Sequence, residues 1–241
     1  MGKASRRKVN NRPQLKMKKE RNWFAIVVTF FVLALVAAVA IFVVVNNNIA
    51  KGPVKTPASA SVNKTTGAIA IGKGKTVIDE YLDFGCPRCG EWETKSSVAV
   101  GDVLKRGLAT LNIYPISILD NAFQGTKYST RAASATYCVA DTNSDAAYAY
   151  IRALYTNQPL EGTSGLTDEK LVSLAKDAGA PGAASCITSG KYKDFVTKLT
   201  KNTPIQPGAG GISTPTILVN GKFIRASDDP AITIVAVAEG K

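Results

Sequence analysis

Four stretches of contrasting character follow one another along the chain. Residues 1–22 are polar and basic, and Trp23 to Val45 (WFAIVVTFFVLALVAAVAIFVVV) is an unbroken apolar run without a charge. Residues 46–66 (NNNIAKGPVKTPASASVNKTT) show no apolar period, and from Gly67 onward apolar positions recur with recognisable spacings. The apolar run holds 23 residues; as a helix it would be about 34 Å long, enough for the hydrocarbon of a bilayer. It predicts a single transmembrane helix. The next segment, rich in Asn, Pro, Ser, Thr and Lys, has little to bury and reads as a flexible linker.

The remainder, 67–241, has the size of one domain. Thr76 to Phe84 (TVIDEYLDF) is short, rich in strand formers and flanked by glycine, which predicts a buried strand. The segment EWETKSSVAVGDVLKRG then places Trp92, Val98, Val103 and Leu104 at helical spacing up to Gly107. A second strand is expected over Ala109 to Pro115. From about 121 to 202 the chain turns alanine-rich with helical periods, and Thr167 with Asp168 and Glu169 opens one of these helices favourably for its dipole. Strand character returns in TPTILVNGKFIRA, where Asn220-Gly221 between apolar runs predicts a hairpin. The order strand, helix, strand, helical block, hairpin is that of an α/β domain with a helical insertion.

Charge orients the chain. Residues 1–22 carry nine Lys or Arg against Glu20 alone, so this tail holds +8 of the formal +12. The positive-inside rule makes the tail cytoplasmic and everything after Val45 extracytoplasmic. Basic residues beside a membrane helix serve orientation and lipid contact, which leaves no call for nucleic acid as a partner. The small-residue motif Ala58, Ser59, Ala60 lies too far beyond the apolar run for a signal-peptide cleavage site, and the run is longer than a signal's apolar stretch. The anchor is expected to stay.

The candidate chemistry lies in FGCPRCGEW. The chain has four cysteines and no histidine. A zinc site would draw on one Cys-x-x-Cys pair plus Cys138 and Cys186, which stand alone, so no metal is expected; without histidine, Ser-His-Asp and Cys-His chemistry are excluded. A purely structural Cys86–Cys89 disulfide is the plain alternative to a redox pair. Position favours redox. A cysteine directly after a strand and at the first turn of a helix faces unpaired N–H groups and the positive end of the dipole, and Arg88 adds a permanent charge. These favour the thiolate and make the disulfide more oxidising. Pro87 suits the first helical turn, where its missing N–H has no partner to lose. Cys86 is then the exposed attacking sulfur and Cys89 the resolving one. In the strand, Glu80 shares a face with Ile78, Leu82 and Phe84, where desolvation would raise its pKa and make it a proton acceptor near neutral pH; a partly wet strand-end charge is the alternative.

YLDFGCPRCGEW, GISTPTILVNG and the helical block holding YCVAD and SCI together resemble the DsbA-like thiol-disulfide oxidoreductases, which have a thioredoxin fold with a helical insertion. The likeness is greatest to membrane-anchored extracytoplasmic members of actinobacteria. It implies that Cys86 and Cys89 are the redox pair, that Thr214 and Pro215 form a cis-proline loop that pairs with substrate backbone, and that Glu80 is the family's buried acid. It also implies exported proteins with free thiols as substrates, no cofactor, and a quinone-linked membrane protein as the reoxidising partner. Two departures bear on direction: Arg88 stands where many oxidising members carry histidine, and threonine before the proline occurs in isomerising relatives.

Cys138 and Cys186 fall outside the cytoplasm on this topology and are expected to form a structural disulfide, with buried free thiols or electron relay as the alternatives. The function expected is a membrane-tethered oxidase that donates the Cys86–Cys89 disulfide to exported proteins. A reductase or isomerase of the same fold, or a tethered binding module stapled by its cysteines, are the other readings.

Overall fold

A computed structural model describes residues 22–50 and 53–241. The basic tail lies outside the described residues apart from Asn22. The chain divides into two compact units, with the boundary between Gly52 and Pro53.

The first unit contains helix α1, Trp23–Ala50. Its Trp23–Val44 stretch has a mean hydropathy of 3.2 and is long and apolar enough to cross a membrane. Phe24, Phe30, Phe31 and Phe42 are exposed along it. The polar Thr29 satisfies its hydroxyl within the helix, on the Ala25 carbonyl at 2.8 Å.

The second unit is built on a five-stranded sheet in the order β1-β3-β2-β4-β5. Its strands are β1 (Ile69–Gly72), β2 (Thr76–Leu82), β3 (Ala109–Pro115), β4 (Thr216–Val219) and β5 (Lys222–Ile224). Strand β2 runs parallel to β3, Ile78 opposite Leu111 and Glu80 opposite Ile113, and antiparallel to β4. Both central strands alternate strictly between buried and half-buried residues, so one face carries Ile78, Glu80, Leu82, Leu111 and Ile113. Helix α2 (Pro87–Lys105), the crossover between β2 and β3, lays Trp92, Val100 and Val103 on that face, beside a π-helical turn at Ala231–Ala236. At the hairpin, Asn220 and Gly221 both take positive φ, the conformation a two-residue turn needs.

The insertion is a helical cluster around α3 (Tyr128–Thr142), which is buried from Tyr128 to Thr130 and from Ala132 to Ala140. Helices α4 (Ala146–Thr156), α5 (Asp168–Asp177), α6 (Ala184–Ser189) and α7 (Lys193–Thr200) pack about it. Small residues on α3 allow this close packing on all sides. Thr167 caps α5 as expected, accepting from the Lys170 N–H at 3.3 Å. Cys138 of α3 and Cys186 of α6 form a disulfide with their Cα atoms 5.7 Å apart.

Three sequence expectations need correction. The linker expected over 46–66 is shorter at both ends: α1 continues to Ala50, and from Pro53 the chain belongs to the second unit. Pro57 and Val62 are buried, and the Asp141 carboxylate accepts from the N–H groups of Ala58 and Ser59 at 2.6 and 2.9 Å. The Val62–Ile69 bridge then leads into β1, so the domain begins ahead of Gly67. Strand β2 ends at Leu82 rather than Phe84, because a turn closes from the Cys86 N–H to the Asp83 carbonyl at 3.0 Å. Strand β1, four residues with no sustained alternation, was not expected at all.

Candidate active site

The turn Asp83–Cys86 delivers the chain from β2 to α2. Cys86 is the N-cap, with extended backbone angles (φ −84°, ψ 116°), and Pro87 opens the helix. The Cys86 carbonyl accepts from the N–H groups of Cys89 and Gly90 at 3.0 and 3.3 Å. Both cysteines are free thiols here.

The cis-proline loop meets them. The Thr214–Pro215 peptide is cis. The Cys89 sulfur lies 2.9 Å from the Thr214 hydroxyl, and the Cys86 thiol donates to the Thr214 carbonyl at 3.6 Å. The same hydroxyl bonds the Tyr81 carbonyl and accepts from the Asp83 N–H, each at 3.2 Å. Thr214 thus ties the C-terminal end of β2 to both sulfurs. This contact, with Phe84 and Tyr155 packed behind at a ring separation of 5.3 Å, corrects the view of Cys86 as exposed. It is 6% exposed, against 0% for Cys89. Of the two cysteines, Cys86 is the one that keeps any exposure.

The electrostatics separate the two thiols. Cys86 is brought down to about 7, first by the Cys89 thiol as a hydrogen-bond donor and further by the peptide N–H groups of Cys89 and Arg88, against burial and the Asp83 charge. Cys89 is pushed well up, first by burial and then by Cys86. The Arg88 side chain is exposed, and its peptide N–H favours the Cys86 thiolate.

Glu80 is buried on the face expected of it, 1% exposed, and accepts from the Trp92 indole N–H at 2.9 Å. Burial pushes its carboxyl up to about 8; the Trp92 bond opposes this and the Glu93 charge adds to it. At neutral pH it holds a proton. Trp92 lies one helical turn beyond Cys89, so the acid sits under the same helix face as that cysteine.

Glu93, Asp83, Tyr155 and Gln158 were missed by sequence reading. Glu93 is buried on α2, its carboxyl raised by burial and partly relieved by Arg152 at 3.4 Å. The buried stripe Cys89, Trp92, Glu93, Ser96, Val100, Val103 follows helical spacing, and that spacing was the available signal. Asp83 is fully buried beneath the turn, accepting from Gly85 at 2.8 Å and from Ile118 and Leu119 at 2.8 and 3.0 Å. Burial raises its pKa, while these three N–H groups oppose the rise. Among the described residues, no group of three or more His, Cys, Asp or Glu side chains is placed to hold a metal.

The arrangement is built for thiol–disulfide exchange: one low-pKa sulfur at a helix N-terminus, one buried partner, and a neutral acid behind. Comparison with known proteins agrees. The sequence model of the family described as Thioredoxin matches residues 64–233. The oxidised DsbA of Mycobacterium tuberculosis is 30% identical with a TM-score of 0.63, over 71% of this chain and 91% of that one. The reduced disulfide bond oxidoreductase DsbG of the same organism is 31% identical with a TM-score of 0.64, over 71% and 86%. The thiol-disulfide oxidoreductase MdbA of Corynebacterium diphtheriae, at 22% identity and a TM-score of 0.59, shares the fold over 76% of this chain and 95% of its own. Among curated proteins, the serine/threonine-protein kinase PknE of Mycobacterium tuberculosis is 32% identical over 164 residues, which are 65% of this chain and 28% of the kinase. The chain therefore spans little more than a quarter of that relative. With the Cys-x-x-Cys pair, the cis-proline loop and the helical insertion all in place, the chain belongs to the thioredoxin family, among its DsbA-like thiol-disulfide oxidoreductases.

Proposed function

We propose that this protein is a membrane-anchored, extracytoplasmic oxidase that donates a Cys86–Cys89 disulfide to exported proteins. The observation that carries the reading is the placement of the two thiols, Cys86 at the N-cap of α2 against the Thr214 carbonyl and Cys89 fully buried in the first turn, which brings Cys86 down to about 7 and pushes Cys89 well up. A stabilised Cys86 thiolate favours the reduced form and so makes the disulfide a better oxidant. In the forward reaction a substrate thiolate attacks the Cys86 sulfur and the Cys86–Cys89 bond breaks. Cys89 leaves and takes a proton, for which neutral Glu80 is the source. A second substrate thiolate then attacks the substrate sulfur of the mixed disulfide and releases Cys86 as a thiolate. Two electrons have passed from the substrate dithiol to the pair. A reoxidising partner in the membrane, quinone-linked in this proposal, removes them.

Thr214 and Pro215 hold substrate backbone beside Cys86, and Pro87 starts the helix that stabilises its thiolate. The apolar α1 with the basic tail before it supports anchoring with the tail in the cytoplasm. The exposed Arg88 side chain and Thr214 before the proline favour a second reading, an isomerase or reductase of the same fold.

Cys89→Ala expressed in cells tests the proposal. Mixed disulfides between Cys86 and exported proteins should accumulate, and the wild-type pair should be mostly oxidised at steady state. A pair kept mostly reduced would favour the isomerase or reductase. Absence of any trapped partner would favour a tethered binding module.

A further inference from the structure

The end of α4 in the helical insertion grips the redox turn. The Tyr155 hydroxyl donates to the Asp83 carbonyl at 3.4 Å. Two residues past the helix, the Gln158 side-chain amide donates to two more carbonyls, Phe84 at 3.0 Å and Cys86 at 2.9 Å. Three carbonyls of one four-residue turn are thus held by one short stretch that lies about 70 residues away in sequence.

The central peptide of that turn, between Phe84 and Gly85, is pinned at both ends. Its carbonyl is on Gln158, and its N–H is on the Asp83 carboxylate at 2.8 Å. Reversing this peptide would convert the turn to one that needs positive φ at its third residue. Gly85 is outside the left-handed region here, yet as glycine it could enter it. Without outside restraint, therefore, the turn has a second accessible form with the Phe84 carbonyl reversed, next to the residue that carries the reactive sulfur. On the other side of Gln158, a Cβ at Gly90 would fall 2.4 Å from its side-chain oxygen, so a side chain at position 90 would push this amide out of its present place.

We propose that Gln158 is a positioning residue for thiol–disulfide exchange: reaching over from the insertion, it locks the central peptide of the Asp83–Cys86 turn and so fixes how Cys86 is presented. Its amide N–H also opposes the negative ends of the Phe84 and Cys86 carbonyls beside the sulfur, which favours the thiolate. The inference rests on Cys86 being the attacking sulfur. It is independent of whether the protein oxidises or reduces in the cell.

The test uses the reduced full-length chain in detergent. Alkylation of Cys86 by iodoacetamide is followed from pH 5 to 9, and the Cys86–Cys89 pair is equilibrated with glutathione. Gln158→Leu removes the donors at similar volume. Gly90→Ala displaces the amide without removing it, and alanine in the helix is itself favourable, so this variant tests the idea if Gln158→Leu fails to fold. Both should raise the alkylation midpoint by about half a pH unit or more and make the disulfide roughly threefold or more less oxidising in its glutathione equilibrium constant. A lower melting temperature with midpoint and equilibrium constant within twofold of wild type would overturn the proposal and leave Gln158 as a packing contact. Failure of Cys89→Ala to trap partners in cells, with Gln158→Leu and Gly90→Ala shifting these constants as expected, would count against the oxidase reading alone.

Discussion

Glu80→Gln isolates the cost of keeping a carboxyl inside the sheet-helix interface. The amide keeps an oxygen to accept from the Trp92 indole, 2.9 Å away in the wild type, and removes only the titration. In the wild type the carboxyl moves from an ordinary 4.5 to about 8. A folded-state pKa raised in this way gives stability that is complete below 4.5 and is lost as pH rises through 8, because between these values the unfolded chain releases a proton that the folded one retains. The slope is about 1.4 kcal/mol per pH unit, or about 4 to 5 kcal/mol across the window. The groups facing Glu80 include Glu93, also raised by burial, and Tyr148 and Arg152 beyond it, so part of the slope belongs to Glu93 and persists in the variant. Urea denaturation of the Pro53–Lys241 unit at pH 4 to 9 reads this directly, in the oxidised form so that no thiol titrates. Wild type should lose stability with rising pH, while Glu80→Gln should lose the equivalent of about one proton less, so that its advantage grows from about pH 5 and is complete near pH 8. Parallel curves for the two proteins would refute the claim that Glu80 is neutral in the fold.

Three further outcomes are expected. Arg88→Ala should shift the Cys86 alkylation midpoint by less than about half a pH unit, since the peptide N–H that bears on the sulfur survives the substitution; a larger shift would restore a role to the guanidinium. Replacing Cys138 and Cys186 by Ala opens a loop of 48 residues and should cost about 4 kcal/mol in denaturant unfolding on a chain-entropy account. Asp141→Ala should release the segment it pins, read as faster hydrogen exchange at Ala58 and Ser59 with the glutathione equilibrium of the redox pair unchanged.

What could be read from sequence was what is local. The alternation in TVIDEYL placed Glu80 on the buried face, Asn220-Gly221 marked the hairpin, and Cys86 followed by Pro87 marked the helix start. The positions that escaped depend on partners far along the chain. Asp141 lies 83 and 82 residues from the two N–H groups it holds, so a polar segment with no period of its own still docks. Gln158 lies 74 and 72 residues from the carbonyls it grips. The approach of Thr214 to Cys86, 128 residues back, was reached through the family resemblance and not through any spacing rule around the cysteines. Asp83 was read as a strand residue because the alternation continued to Phe84; its carboxylate is instead engaged under the turn, accepting from the Ile118 and Leu119 N–H groups 35 and 36 residues on.

The central claim is that the fold stabilises Cys86 as a thiolate and thereby makes its disulfide an oxidant. The redox potential of the pair, from equilibration with glutathione mixtures, tests it most directly. The account predicts a value well above the roughly −270 mV of a thioredoxin, toward the about −120 mV of a strong oxidant. For this two-electron couple about 30 mV is worth 1.4 kcal/mol, so thiolate stabilisation of even a few kcal/mol is resolved. A potential at or below that of thioredoxin would contradict the account.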